Sequence, residues 1–318
     1  MKKQSWKKDF ASFILDDSME KQAVALKIRH FPGQLFRFGR FDERGFWKAP
    51  LLKHQIWLSS PRFFNDPFDC ELIMDNTIIE APTLRKVIYQ VLQKNLADGH
   101  IIHEMEEFRC TEDLLDCLIN CAVDSSTQML SNDEKRLALE HLVNGVIDAF
   151  RAASVAGLKV VCFSEKYDLT IMWGHYADNH RGFCISYDFM ADTRKRIKGK
   201  GIALYPNIWP VIYQQQRVDF GELFKQGKIQ SVTNAALFKS HEWKYEKEWR
   251  LMWSDSFNEH GAYVKDGGCM RAIYFGARAD LSSKNIIRVI KHAENIGVPV
   301  FYMKLSDNEY KLTAVPLK

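Results

Sequence analysis

Residues 243–253 constrain the fold of this chain most, because large apolar and charged side chains alternate along them. Successive side chains of a β-strand point to opposite faces, so a period of two predicts a strand with one apolar and one charged face. The apolar face carries Trp243, Tyr245, Trp249, Leu251 and Trp253, and the charged face carries Lys244, Glu246, Glu248 and Arg250. The pattern therefore predicts two carboxylates, Glu246 and Glu248, held about 7 Å apart on rigid backbone.

Two interpretations of this pair of acids stay open. A pair of carboxylates can stabilise positive charge that develops on a sugar, act as a general base, or bind a cation. The alternative is a solvated strand face whose charges form cross-strand ion pairs.

Composition leaves the chemistry open but constrains the class of protein. The 318 residues are 46% hydrophobic, which is enough for a large core, and the net charge of +4 neither requires nor excludes a nucleic-acid partner. Seven cysteines occur without a Cys-X-X-Cys spacing, so neither a zinc ribbon nor a disulfide framework is indicated. No signal peptide and no stretch long enough for a membrane span is recognisable, so we expect a cytoplasmic protein without a membrane partner.

The order of periodic segments predicts an α+β fold with a mixed or split β-sheet core. Apolar residues at three- and four-residue intervals mark a helical insert at 82–156 within one domain spanning 1–318. A further helix is expected at about 283–295. Strands are predicted at 34–38, 55–59, 159–164, 183–187, 271–275, 298–304 and 310–315.

Residues 168–182 are rich in groups that bind ligands or transfer protons. Asp168 is a plausible cap for a short helix that carries His175, and Gly182 follows that helix. One hypothesis is a metal-dependent nuclease or hydrolase that uses Asp168, His175, Asp178 and His180. The spacing is not the His-Glu-X-X-His of zinc enzymes, so no metal is expected, and the residues favour a structural hydrogen bond for His175.

Several motifs of common enzymes are absent, and the candidate residues are instead spread along the chain. There is no Gly-X-Ser-X-Gly elbow, Walker loop or dinucleotide fingerprint. Arg37 lies on an early strand, Ser59 ends the next, and Asn65 and Asp66 lie in a turn-rich loop at 61–69. An arginine can clamp a diphosphate, a serine can orient an acid, and a glutamate such as Glu248 can stabilise an oxocarbenium ion. Cleavage of a nicotinamide glycosidic bond requires these three roles.

Four phrases, in this order, resemble the bacterial domain-of-unknown-function 2971 family. They are IWLSSPRFFNDPFD at 56–69, CFSE at 162–165, MWGHYADNHRGFCISYD at 172–188 and WKYEKEWRL at 243–251. The resemblance covers about residues 35–280 and implies no function by itself.

A more distant resemblance is to the ADP-ribosyltransferases, in which a split β core binds NAD in a cleft. It rests on the order strand-Arg, strand-Ser, strand-Glu-X-Glu. By position, Arg37 and Ser59 would contact NAD, Glu248 would be catalytic, and Glu246 would contact the acceptor.

This second resemblance implies NAD as a substrate and a protein or nucleic acid as the acceptor of ADP-ribose, or NAD hydrolysis, in a toxin or phage-defence effector. Asn65, Asp66, His175 and Tyr176 have no counterpart in that resemblance, and two interpretations of them stay open: they shape the nicotinamide pocket, or they belong to a different chemistry. The alternative from another class is a non-catalytic module that recognises a nucleotide or a protein with the same cleft.

Overall fold

A computed structural model describes residues 5–73, 156–190, 204–226, 232–254, 260–266 and 269–317, with scattered positions between 133 and 152 and Lys228. Its helices are α1 (Ser5–Ile14), α2 (Glu20–His30), α3 (Lys48–Leu52), α4 (Thr170–Tyr176), α5 (Phe220–Lys225) and α6 (Lys284–Asn295). Its strands are β1 (Leu35–Gly39), β2 (Gln55–Ser59), β3 (Leu158–Ser164), β4 (Phe183–Tyr187), β5 (Ile208–Pro210), β6 (Ile212–Gln214), β7 (Phe238–Ser240), β8 (Glu248–Ser254), β9 (Gly261–Lys265), β10 (Met270–Phe275), β11 (Val300–Leu305) and β12 (Leu312–Pro316).

The chain divides into two compact units. The first consists of 1–24, 70–155 and 216–238, and the second of 25–69, 156–215 and 239–318. In the first unit, Asn234 donates a hydrogen bond to the Ile14 carbonyl, and Ile73 forms a β-bridge with Asp219. The expected single domain over 1–318 and its insert at 82–156 stay predictions, because most of that insert lies outside the described residues.

A ten-stranded mixed sheet forms the centre of the second unit, which also contains α3, α4 and α6. This combination confirms the α+β class. The main path of the sheet runs β12-β11-β10-β4-β1-β3-β2-β9, with β8 on β3 and β5 on β8. The β10–β11 pair is parallel, and the other strand pairs of this sheet are antiparallel. A separate two-stranded sheet joins β6 and β7.

The sheet divides at β3. Strand β8 pairs with β3 along its whole length, from Leu158 opposite Ser254 to Ser164 opposite Glu248. The other edge of β3 is shared, because β1 pairs only at Ser164 and β2 only at Val160. The two strands thus diverge from opposite ends of one edge, which leaves a cleft between them.

Helices cover the sheet with apolar faces. From α4, Trp173 is fully buried and packs edge-on against Phe38 of β1 at 5.3 Å between ring centroids. Helix α6 buries Ile286, Val289 and Ala293, and the Ser283 side chain caps it by accepting a 3.3 Å hydrogen bond from the Ile286 amide. No helix among the described residues has both the length and the apolar character needed to cross a membrane.

Two local predictions were wrong. The predicted strand at 243–253 begins only at Glu248, because residues His241–Glu246 form a 3₁₀ helix that Lys247 ends in the left-handed conformation, with φ of 47°. Asp168 does not cap α4. Leu169 occupies the cap position, and no side chain there accepts a hydrogen bond from the helix.

Candidate functional site

The cleft between β1 and β2 opens into a pocket of about 430 Å³. Seven of the eight sequence-predicted site residues line it: Arg37, Ser59, Asn65, His175, Tyr176, Glu246 and Glu248. Asp66 does not. It is buried, and its carboxylate accepts a 2.9 Å hydrogen bond from the Phe68 amide, so it shapes the loop that carries Asn65. The structure therefore brings seven of the eight residues together around one pocket, and the roles assigned to all eight stay predictions.

Lys239 joins the two glutamates at the base of the pocket. Its Nζ donates to Glu246 Oε2 at 2.7 Å and to Glu248 Oε2 at 3.1 Å. Because Lys247 between them is left-handed, the backbone turns so that the two acids meet the same ammonium group. A regular strand would instead have held them about 7 Å apart.

Arg250 extends this network to Asp69, whose carboxylate also lies 3.5 Å from the Lys239 ammonium group. Its guanidinium is fully buried and binds Asp69 through two hydrogen bonds of 2.7 and 2.6 Å. The same group donates to Glu248 Oε1 at 2.7 Å and to Oε2 at 3.2 Å. Glu246, Glu248 and Arg250 of the predicted charged face are thus buried, and their ion pairs run along β8 and to Asp69, not only across strands.

The two glutamates have pKa values shifted in opposite directions. Burial alone would raise the pKa of Glu248, but the charges of Arg250 and Lys239 outweigh burial and lower its pKa to about 2. Burial also raises the pKa of Glu246. Lys239 opposes this rise only in part and the charge of Glu248 adds to it, so the pKa stays above its ordinary value. Near neutral pH, Glu248 is therefore firmly ionised, whereas Glu246 accepts a proton more readily.

A chain of hydrogen bonds leads from the pocket mouth to Glu246. The Tyr176 hydroxyl donates to Glu246 Oε1 at 2.7 Å, and the Asn65 side chain hydrogen-bonds to the same hydroxyl. Burial and the charge of Glu246 raise the pKa of Tyr176, which keeps it a neutral donor. Asn65 and Tyr176 therefore fix one acid in place.

Arg37 is the cation of the pocket that lacks a counter-charge among the described residues. Its Nη2 donates to the Trp57 carbonyl at 3.1 Å, which ties β1 to β2 across the cleft. Its Nη1 is buried and has no hydrogen-bond partner in the described part of the chain. A buried donor without a partner costs free energy, so a ligand that accepts a hydrogen bond there is favoured.

Ser59 and His175 also line this pocket. The Ser59 hydroxyl donates a long hydrogen bond of 3.3 Å to the Ser60 carbonyl, so it can reorient toward a ligand. His175 is exposed, lies 3.4 Å from the Tyr245 hydroxyl, and joins Tyr245 and Trp243 in an aromatic cluster.

Three residues of the network were missed as site residues: Asp69, Lys239 and Arg250. Arg250 shares a strand face with Glu248, so its pairing could have been inferred from the alternation. Asp69 and Lys239 are distant in sequence and carry no local signal. Cys162 was also missed. It lies opposite Arg250 and hydrogen-bonds to Glu248, and burial raises the pKa of its thiol.

The proposed metal ligands do not come together. Across the residues that the structure describes, no group of three or more His, Cys, Asp or Glu side chains is arranged to hold a metal ion. Asp168, His175, Asp178 and His180 all belong to this part of the chain.

Comparison with known proteins supports the family resemblance over part of the chain. Residues 172–251 match the family described as a protein of unknown function (DUF2971). The matched segment runs from α4 to β8 and includes Tyr176, Lys239, Glu246 and Glu248. No curated protein and no solved structure matches the chain significantly.

Proposed function

We propose that this protein cleaves the glycosidic bond between nicotinamide and ribose in NAD and transfers ADP-ribose to a macromolecule or to water. One observation carries the proposal: Arg37, with its buried unpaired Nη1, and the ionised Glu248 line the same pocket. NAD cleavage needs a cation for the diphosphate and an anion beside the reacting sugar.

The charges of the pocket suit a dissociative reaction. When the bond from C1′ of the ribose to nitrogen breaks, its electron pair leaves with nicotinamide and C1′ becomes an oxocarbenium centre. Glu248, kept ionised by Arg250 and Lys239, would stabilise that positive charge. The acceptor then adds to C1′ and loses a proton, for which Glu246 with its raised pKa is the suited base.

The fold gives separate support. Arg37 lies on β1, Ser59 ends β2 and Glu248 begins β8, and β1 and β2 diverge along one edge of β3. This order of residues on a split sheet is the order on which the resemblance to ADP-ribosyltransferases rests. A dinucleotide in the cleft would reach both Arg37 and Glu248.

The test is an NAD-consumption assay on the purified full-length chain, with and without cell lysate. We expect wild type to release nicotinamide, and Arg37→Gln and Glu248→Gln each to reduce the rate at least 100-fold, since one transition-state interaction contributes about 3 kcal/mol. Dependence on lysate would separate transfer from hydrolysis.

Asp69→Asn is the matched control, because it removes a carboxylate that pairs with the same Arg250 and Lys239 and leaves Glu248 in place. Thermal unfolding of each variant establishes that it is folded. If wild type releases no nicotinamide and binds no NAD, the proposal is wrong and the recognition-module alternative takes its place. Equal loss in Asp69→Asn and Glu248→Gln would assign Glu248 a structural role.

A further inference from the structure

A second pocket, of about 790 Å³, lies beside the first in the same unit and shares a wall with it. The shared wall consists of Arg37, Phe38, Trp57, Ser59 and Phe63. This volume lies in the range of pockets that enclose most of a small molecule. A ligand in the second pocket would therefore lie directly next to one bound in the first.

Positive charge dominates the second pocket. Arg37, Arg40 and Arg44 line it, against one carboxylate, Asp42. The Asp42 carboxylate already has a partner within its own loop, because it accepts a 3.2 Å hydrogen bond from the Phe46 amide. Arg40 and Arg44 are exposed and make no hydrogen bond or ion pair with the described residues. The pocket therefore favours an anion with several acceptor oxygens, such as a phosphodiester.

Exposed aromatic rings line the same pocket. Phe46 is 59% exposed, Phe63 56% and Tyr263 45%, although large aromatic side chains usually lie in the core. Trp57 packs on Tyr263 at 4.7 Å between ring centroids, which braces these two rings. Aromatic faces next to arginines are the combination that binds unstacked bases and their phosphates.

We propose that the second pocket binds an unpaired nucleotide of a single-stranded nucleic acid and presents it to the first pocket as the acceptor of ADP-ribose. The acceptor role rests on the proposed function, whereas the binding role does not. The concave shape selects one unstacked nucleotide over a duplex, whose bases are stacked inside the helix. A protein acceptor would not need free arginines beside exposed rings.

The binding test uses fluorescence anisotropy with labelled single-stranded RNA and DNA of about 12 nucleotides and mixed sequence. We expect Phe46→Leu to weaken binding about tenfold, because one base–aromatic stack is lost. The double variant Arg40→Gln/Arg44→Gln should also weaken binding about tenfold at low salt. It should reduce the slope of log affinity against log salt by about 1.4, as expected for two lost phosphate contacts.

Two matched controls remove the same chemistry elsewhere on the unit. Tyr310→Leu deletes a fully exposed ring, and Arg29→Gln/Arg288→Gln deletes two exposed guanidinium groups. Both controls should bind the oligonucleotides within about twofold of wild type. No binding by wild type, or equal weakening in the controls, would overturn the inference. The inference would also be overturned if wild type bound a double-stranded oligonucleotide of the same length and sequence as tightly as the single strand.

The transfer test adds NAD and follows the mass of the oligonucleotide. A gain of one ADP-ribose that depends on Phe46 supports the acceptor role. Nicotinamide release without oligonucleotide binding overturns this inference and leaves the proposed function intact. Binding without nicotinamide release supports the nucleotide site and refutes the proposed function. If Arg40→Gln/Arg44→Gln raises the KM for NAD but leaves oligonucleotide binding unchanged, the pocket belongs to NAD and the inference fails.

Discussion

Glu246 and Glu248 are two residues apart, yet their surroundings shift the pKa values of the two carboxyl groups in opposite directions. The Glu248 carboxylate accepts hydrogen bonds from two charged groups, Arg250 and Lys239. The Glu246 carboxylate also accepts from Lys239, but its second donor is the neutral hydroxyl of Tyr176. Burial is similar for the two side chains, so the number of charged partners decides which acid is stabilised in its ionised form.

The first prediction compares the neutral variants of these two acids. Glu248→Gln should lower the free energy of unfolding by about 3–5 kcal/mol, since Arg250 keeps only Asp69 as a charged partner in a fully buried site. Glu246→Gln should cost about 1 kcal/mol or less, because an amide oxygen still accepts from Tyr176 and Lys239 keeps Glu248. Urea unfolding at pH 7 measures both. Equal costs would show that the network does not distinguish the two acids.

At the scale of helices and strands, the turn after α4 positions His175 and Tyr176 at the pocket. Asp178, Asn179 and His180 are all left-handed, with φ of 47°, 51° and 70°. This turn is closed by Gly182, whose amide donates to the Ala177 carbonyl at 2.8 Å. A Cβ on Gly182 would collide with the carbonyl oxygen of Gly39 and lie 2.9 Å from that of Ala177.

Gly182→Ala should therefore destabilise the protein by about 2–3 kcal/mol, because the clash is with backbone that cannot rotate away. The matched control is Gly174→Ala within α4, where a Cβ would have no neighbour within 4 Å. That substitution should stabilise by up to about 1 kcal/mol through helix propensity. Thermal unfolding of the two variants beside wild type checks the prediction, which fails if both shifts have the same sign.

Most strands of the second unit could be predicted because their signal is local. Strands β2 and β4 have the predicted bounds, β3 and β10 each begin one residue earlier than predicted, and β1 is shifted by one residue at both ends. The strand predicted at 243–253 begins only at Glu248, because the left-handed Lys247 precedes it. The prediction missed this break because a left-handed residue other than glycine does not disturb the alternation of apolar and charged side chains. Lys239 and Asp69 escaped prediction for another reason: their place beside Glu248 depends on sheet order, which local periodicity does not encode.

At the scale of the whole molecule, the buried network couples stability to pH. Glu248 has a pKa of about 2 in the folded protein against an ordinary value of 4.5. A lowered pKa means that the group stabilises the fold above its unfolded-state pKa, and that this contribution is lost as pH falls toward 2. Glu246 acts in the opposite sense. With its pKa raised, its folded form binds the proton more tightly, so its contribution falls as pH rises through the raised value.

The corresponding measurement is the free energy of unfolding, from urea titrations, at a series of pH values. Between pH 4.5 and pH 2, wild type should lose about 3 kcal/mol more than Glu248→Gln, which lacks the titrating group. The Glu246→Gln variant should retain the acid loss seen in wild type. Parallel curves for wild type and Glu248→Gln would rule out this carboxylate as a source of the acid sensitivity.

Arg37 lines both pockets, so ligand binding in one pocket is thermodynamically linked to ligand binding in the other. Nη2 is held by the Trp57 carbonyl, which leaves Nη1 as the buried nitrogen without a partner among the described residues. Two anions that both used this nitrogen would compete for it, so each would weaken the other. Linkage requires that the factor be the same whichever ligand is added first. Through this one guanidinium, a ligand bound in either pocket would change the affinity of the other pocket for its ligand.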